Sequence, residues 1–146
     1  MRNSAVEAAN RMVEYTVLLC VLAFARGSQI YLQQPSSSLM PRFPVVEALF
    51  KWVAVYRVPT YLGSYGCSSQ KPIIVFTSEE RAVCLKRKRA PGKESLVTRA
   101  ADGSVTGKLG ELKASQAYPK DFGQAVAKVG IRSLHSRTFD EVFGSW

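Results

Sequence analysis

The chain has 146 residues, is 47% hydrophobic and carries a formal charge of +9 at neutral pH. That is about one domain with enough apolar content to bury a core, which excludes a disordered or collagen-like chain. The positive excess selects an anionic neighbour, whether nucleic acid, an anionic membrane face or an acidic protein, and by itself names no function.

In chain order, a helix is expected over roughly residues 4 to 26. Ser4 and Glu7 fit a Ser-x-x-Glu capping box, and Gly27 stands where a C-terminal cap belongs. The apolar run EYTVLLCVLAFA competes with this reading. It ends in Ala23-Phe24-Ala25, the small-x-small form of a secretory cleavage site, with Arg2 and Arg11 ahead of it. Glu7 and Glu14 stand where a signal sequence carries positive charge, so a folded helix is preferred over a cleaved leader. The run is too short to span a bilayer, and no membrane span is expected.

A strand follows at Gln29 to Gln33, with Ile30 and Leu32 facing away from Tyr31. A helix is expected near Val45 to Trp52, then an extended stretch, VAVYRVPTYL, which Pro59 interrupts or confines to a sheet edge. GSYGCSSQKP reads as a loop and IIVFTS as a buried strand. Helix, strand, helix, strand, strand is the order of half an α/β sheet.

The middle of the chain changes character. CLKRKRAPGK carries Lys86, Arg87, Lys88, Arg89 and Lys93, with Arg81 just outside and Pro91 and Gly92 as breakers. This solvated loop is either a phosphate-contacting element or nuclear address, or an ordinary charged loop. Asp102-Gly103 signals a hairpin turn. Pro119 then opens a helix on which Phe122, Ala125, Val126 and Val129 recur at helical spacing. The tail adds a short amphipathic helix through Phe139, Val142 and Phe143.

Cys20, Cys67 and Cys84 are odd in number and widely spaced, and His135 is the single histidine. That spacing offers no disulfide framework, no zinc site and no Cys-His or Ser-His-Asp set. The thiols are read as small buried hydrophobes, and no metal is expected.

Three stretches, taken in order, resemble one family, the DNA (cytosine-5)-methyltransferases. LQQPSSSLM is similar to the family's Glu-Asn-Val or Glu-Asn-Pro strand end, and more closely to its Glu-Gln-Pro-x-Ser-Ser-Leu-Met form in methylase-like reading frames of protist genomes, some linked to mobile elements. YGCSSQKPIIVF is similar to the Tyr-Gly loop, Gln and basic residues, and apolar strand that follow. SQAYPKDFGQAV resembles the closing Gly-Asn-x-Val helix with its Tyr-Pro-x-x-Phe-Gly lead-in. Together they span about residues 3 to 129.

The resemblance implies a partial Rossmann-like methyltransferase sheet, the carboxyl-terminal half of an S-adenosylmethionine-dependent α/β fold, with a β-hairpin and a basic loop. The chain is then one incomplete domain over residues 1–146. Residues 1–85 form the core, 86–113 the basic loop and hairpin, and 114–146 the closing helix and tail. Gln33 takes the place of the family glutamate that holds or protonates a flipped cytosine. Gln34, Pro35, Ser37, Ser38, Tyr65, Gly66, Gln70 and Lys71 form the pocket rim, and Phe122, Gly123 and Gln124 the closing motif. The serines supply hydroxyls to a ligand or, preferably, cap the helix after them. Lys86, Arg87, Lys88, Arg89 and Lys93, with Lys108 and Lys113, are the candidate nucleic-acid contacts.

Departures from the family pattern shape the expected function. Gln33 hydrogen-bonds but is no general acid. Gln124 replaces an asparagine, and the glycine-rich turn, the acidic residue for the ribose and the Pro-Cys nucleophile are not found. The expected function is a degenerate or truncated methyltransferase-like domain, inactive alone. It binds no cofactor by itself, although S-adenosylmethionine is implied for a complete family member. Expected partners are DNA or RNA, a missing amino-terminal half, or a second copy meeting an exposed sheet edge and uncovered helix face. The alternatives are a non-catalytic basic nucleic-acid-binding module and a small secreted basic protein. An intracellular, nuclear location is favoured over secretion.

Overall fold

The computed structural model describes residues 4–93, 97–102, 104–107 and 117–136. The first helix, α1 (Ser4–Ala25), ends where Gly27 adopts φ +75°. The Ser28 amide donates to the Ala23 carbonyl at 2.9 Å and the Gly27 amide to that of Phe24 at 2.9 Å. This is the Schellman closure for which the glycine is needed. By length and composition alone, α1 is long and apolar enough to cross a membrane.

Strand β1 (Tyr31–Pro35), helix α2 (Pro44–Trp52), strand β2 (Tyr56–Tyr61) and strand β3 (Pro72–Thr77) follow, with short 3-10 turns at Met40–Arg42, Leu62–Tyr65 and Glu80–Leu85. The sheet order is β1-β3-β2, and β3 runs antiparallel to both neighbours. β1 and β2 therefore point the same way, joined through α2. The architecture is mixed α/β around a small three-stranded antiparallel sheet.

β1 begins two residues later than the sequence suggests, because Gln29 and Ile30 are tied down by a side chain. Ser78 Oγ accepts from the Ile30 amide at 3.0 Å and donates to Gln29 Oε1 at 2.6 Å. At its other end the strand continues through Gln34 and Pro35, which pair with Ile74 and Ile73. Pro59 lies on β2, an edge strand, where a missing amide donor leaves no ladder bond unmade.

Residue alternation gives the sheet two apolar faces. On one, Val58, Ile73 and Val75 join Leu62, Tyr65, Cys67, Ala82, Leu85, Phe122 and Val129 in a buried cluster. On the other, Ile30 and Leu32 meet Val17, Cys20 and Val21 of α1, Leu49 and Phe50 of α2, and Val53 just after it. Phe50 stacks on Phe76 at 4.8 Å. Ile73 through Thr77 are all buried, so the unbroken apolar run IIVF reflects a central strand covered on both sides. Each such side chain contributes about 2 kcal/mol of burial.

Two of the three thiols depart from the expected burial: Cys67 is buried, Cys20 half-buried and Cys84 exposed. Burial pushes the Cys20 thiol pKa up.

Strands β4 (Val97–Arg99) and β5 (Val105–Gly107) form the expected hairpin. Asp102 Oδ1 accepts from the Ser104 amide at 2.8 Å, and the hydrogen bonds from Ser104 hold its carboxyl below the usual range. Helix α3 (Lys120–Ser136) starts just after Pro119 and buries Phe122 and Val129 on the first cluster. Lys108, Lys113 and the tail positions Phe139, Val142 and Phe143 lie outside the described residues.

Candidate functional site

β1 and β2 both end, and β3 begins, at one edge of the sheet, but Gln33, expected at the strand tip, stands two residues back from that edge, because β1 goes on pairing through Gln34 and Pro35. Register puts Gln33 opposite Val75, on the face that α3 covers. There Gln33, Tyr31 and Val75 meet Tyr118, Phe122 and Val126 around an open, largely apolar cavity of about 450 Å³. The Tyr118 hydroxyl donates to Gln33 Oε1. The Tyr118 ring lies near-parallel to that of Phe122 at 6.0 Å, and Lys71 Nζ sits 5.3 Å over its centroid. Lys71 holds this rim position with φ +33°, a conformation that costs a non-glycine residue about 1 kcal/mol or more.

The Tyr31 hydroxyl is buried and reaches no hydrogen-bond partner among the described residues. Burial, with the Glu79 carboxylate adding, pushes this phenol's pKa up against a pull from the nearby Thr77 hydroxyl. Burial also raises the pKa of Tyr118. The cavity thus offers apolar walls, one amide and a cation at its rim, which suits a planar ring with a hydrogen-bonding edge.

The other rim residues take different positions. Gln34 faces the opposite side of the sheet from Gln33, where its Oε1 accepts from Ser38 Oγ at 2.9 Å. Ser38 Oγ also accepts from the Met40 amide at 3.2 Å, although the N-cap of the Met40–Arg42 turn is Leu39 and carries no side-chain cap. α2 itself starts after Phe43 with no side-chain cap. Pro35 and Ser37 are exposed. Gly66, at φ +95°, closes the Leu62–Tyr65 turn.

Tyr65 belongs to the core. Its hydroxyl donates to the Leu85 carbonyl at 2.7 Å and its ring meets Phe122 edge-on at 5.2 Å. Gln70 is 2% exposed. Its Nε2 donates to the carbonyls of Ala90 and Lys93, and its Oε1 accepts from the Ala90 amide at 3.1 Å. Lys93 Nζ in turn donates to the carbonyls of Gly63 at 2.8 Å and Cys67 at 2.7 Å. Gly63 has no room for a side chain, since a Cβ there would stand 2.9 Å from the Ser69 carbonyl oxygen.

Arg87 donates to the carbonyls of Cys84 and Lys86 and lies 5.3 Å over the Tyr65 ring. Of the five candidate cations in the loop, Lys93 is half-buried against the backbone, while Lys86, Arg87, Lys88 and Arg89 are exposed.

Phe122 and Gly123 line the Gln33 cavity, whereas Gln124 lines a second one of about 430 Å³ with Asp121, Cys84, Arg87 and Lys128. The two glutamines at the family's motif positions do not converge. Among the described residues no three histidine, cysteine or acidic side chains cluster as a metal site. Tyr118 carries the cavity's hydrogen bond and was given no role by the sequence, since it lies before the helix that starts at Lys120 and its partner Gln33 is 85 residues away. No family model, curated protein or solved structure matches the chain.

Proposed function

We propose that this chain is a degenerate or partial DNA (cytosine-5)-methyltransferase-like domain, inactive by itself. The observation that carries the reading is the meeting of Gln33, midway along β1, with Tyr118 and Phe122 from a stretch some 85 residues later. These belong to two of the three segments that resemble the family, and they share one cavity on the face of the sheet that α3 covers. The like-directed β1 and β2, linked through α2, are also consistent with part of a wound α/β sheet.

In this reading Gln33 holds the hydrogen-bonding edge of a cytosine-like ring between apolar walls but supplies no proton. The exposed thiol, Cys84, follows valine rather than proline and opens on the other cavity, so among the described residues no thiol lines the Gln33 cavity. The free edge of β1 is where a complementing half of the sheet would pair.

Thermal unfolding with and without S-adenosylhomocysteine tests the reading. A ligand at a hundred times its Kd stabilises the state that binds it by about 2.7 kcal/mol. The midpoint is expected to stay where it is, because the glycine-rich turn and the ribose-binding acid are not found. An upward shift would mean that the chain builds a cofactor pocket without them, and the half-domain reading would fall.

A second reading is a basic nucleic-acid-binding module, favoured by the presentation of Lys86, Lys88 and Arg89. Gln70 and Lys93 pin the ends of their loop while these three side chains face solvent. Either reading favours an intracellular location over secretion.

A further inference from the structure

The cavity of about 430 Å³ that Gln124 lines is walled by the Leu62–Tyr65 turn, the end of the Glu80–Leu85 turn and α3, and the Gln33 site makes no use of it. Its volume falls within the roughly 300–1,000 Å³ of small-molecule sites. Leu85, Tyr65 and Val129, all buried, give it apolar walls. Asp121, Gln124 and Lys128 line it from α3, spaced three and four residues apart and so on one stripe of the helix. None of these three side chains bonds to another described residue.

Arg87 completes the lining and is held in place. Its amide donates to Thr60 Oγ1 at 3.1 Å, its Nη1 donates to the carbonyls of Cys84 at 2.7 Å and Lys86 at 3.0 Å, and its Cζ lies 5.3 Å over the Tyr65 ring. A guanidinium carries five N–H donors, and its own backbone spends two of them here, both through Nη1. The Nε–Nη2 edge bonds to no described residue. That edge is a planar fork whose spacing matches two oxygens of one oxyanion.

We propose that this cavity binds an organic phosphate monoester, either a free small molecule or the 5′ end of a nucleic-acid strand. The Arg87 fork takes two of the three terminal oxygens and the Lys128 ammonium takes the third. A carboxylate or a phosphodiester offers two such oxygens and leaves one cation unspent. A monoester also carries a charge of about −1.5 to −2 at neutral pH, which two cations offset. Its organic body lies against Leu85 and Val129. Asp121 stands about 10 Å along the helix from Lys128, so its carboxylate sits off the phosphate and, with Gln124, accepts from hydroxyl or amino groups of the body. The proposal does not depend on the methyltransferase-like reading, which concerns the Gln33 cavity.

Uridine 5′-monophosphate and phenyl phosphate, titrated calorimetrically into the full chain, test it. At physiological salt the Debye length of about 8 Å suppresses long-range attraction to a +9 chain. Saturable one-to-one binding is expected for both. Uridine, and the methyl ester of uridine 5′-monophosphate with one terminal oxygen blocked, should each bind about tenfold more weakly or worse. Arg87→Lys keeps the charge but loses the fork, and Lys128→Gln loses the third contact; each should weaken binding about tenfold. Lys128 is exposed and unbonded, so the melt of Lys128→Gln should match the parent. The exposed Cys84 thiol lines the same cavity, so uridine 5′-monophosphate should slow its alkylation by iodoacetamide in the parent and much less in Lys128→Gln.

A 5′-phosphorylated oligonucleotide that binds more tightly than uridine 5′-monophosphate places the monoester at a strand end, and one that binds more weakly makes it a free small molecule. A 5′-hydroxyl strand that binds as well as the phosphorylated one overturns the proposal. So does failure of both small probes to bind, a methyl ester that binds as well as the monoester, or binding indifferent to Arg87→Lys and Lys128→Gln.

Discussion

Gln70 shows how one side chain can organise a segment that has no regular structure. Buried at the base of the basic loop, it meets three backbone groups of Ala90 and Lys93, the pairing a strand neighbour would otherwise give. Gln70→Ala leaves those groups without partners and is expected to cost about 2 kcal/mol. Urea unfolding should show a lower midpoint with an unchanged slope. A variant as stable as the parent would mean that water replaces the amide freely. The sequence placed Gln70 in a loop and at a pocket rim, and nothing in its neighbourhood marks it as buried. That position follows from Gly63, whose backbone approaches Ser69 and Gln70 too closely for a side chain. The two amides of β1 were legible as far as alternation goes: a period of two sends Gln33 and Gln34 to opposite faces. The partners of each amide were not legible, because Tyr118 lies far along the chain.

At the scale of elements, the two layers against the sheet are unequal. α3 seats Phe122 and Val129 on one face, while α1 and α2 share the other. Removing residues 1–25, as a cleaved leader would be, strips Val17, Cys20 and Val21 from Ile30, Leu32 and Leu49. Each lost contact is worth about 1 to 2 kcal/mol, together a large part of the 5 to 15 kcal/mol that holds a domain folded. The truncated chain is expected to melt without cooperativity or at a much lower temperature. If it melts like the full chain, α1 is dispensable and the leader reading gains. Helices and strands were the most legible elements, because 3.6-residue and two-residue periods are written locally. The start of β1 was not, since Ser78, from beyond β3, ties Gln29 and Ile30 outside the ladder.

For the whole molecule, the positive charge matters only where it is presented. Lys86, Lys88 and Arg89 face solvent from the loop; Arg87 is exposed as well, with its guanidinium on the Cys84 and Lys86 carbonyls, and only Lys93 is drawn half-buried onto the backbone. If the loop binds nucleic acid through Lys86, Lys88 and Arg89, the triple variant K86Q/K88Q/R89Q should flatten the slope of log affinity against log salt by about 2 to 3. An unchanged slope would place the phosphate contacts elsewhere on the chain.

The sequence by itself determined the order of the main elements, the buried strand IIVFTS, the Gly27 helix stop and the Asp102 turn. Each is set by local periodicity or by one residue's backbone freedom. Tertiary structure alone decided that β3 inserts between β1 and β2, that Tyr118 meets Gln33 while Gln124 turns to another cavity, and which cations remain at the surface. Those outcomes depend on contacts between segments tens of residues apart, and strand pairing and side-chain satisfaction are settled only when the segments are packed together.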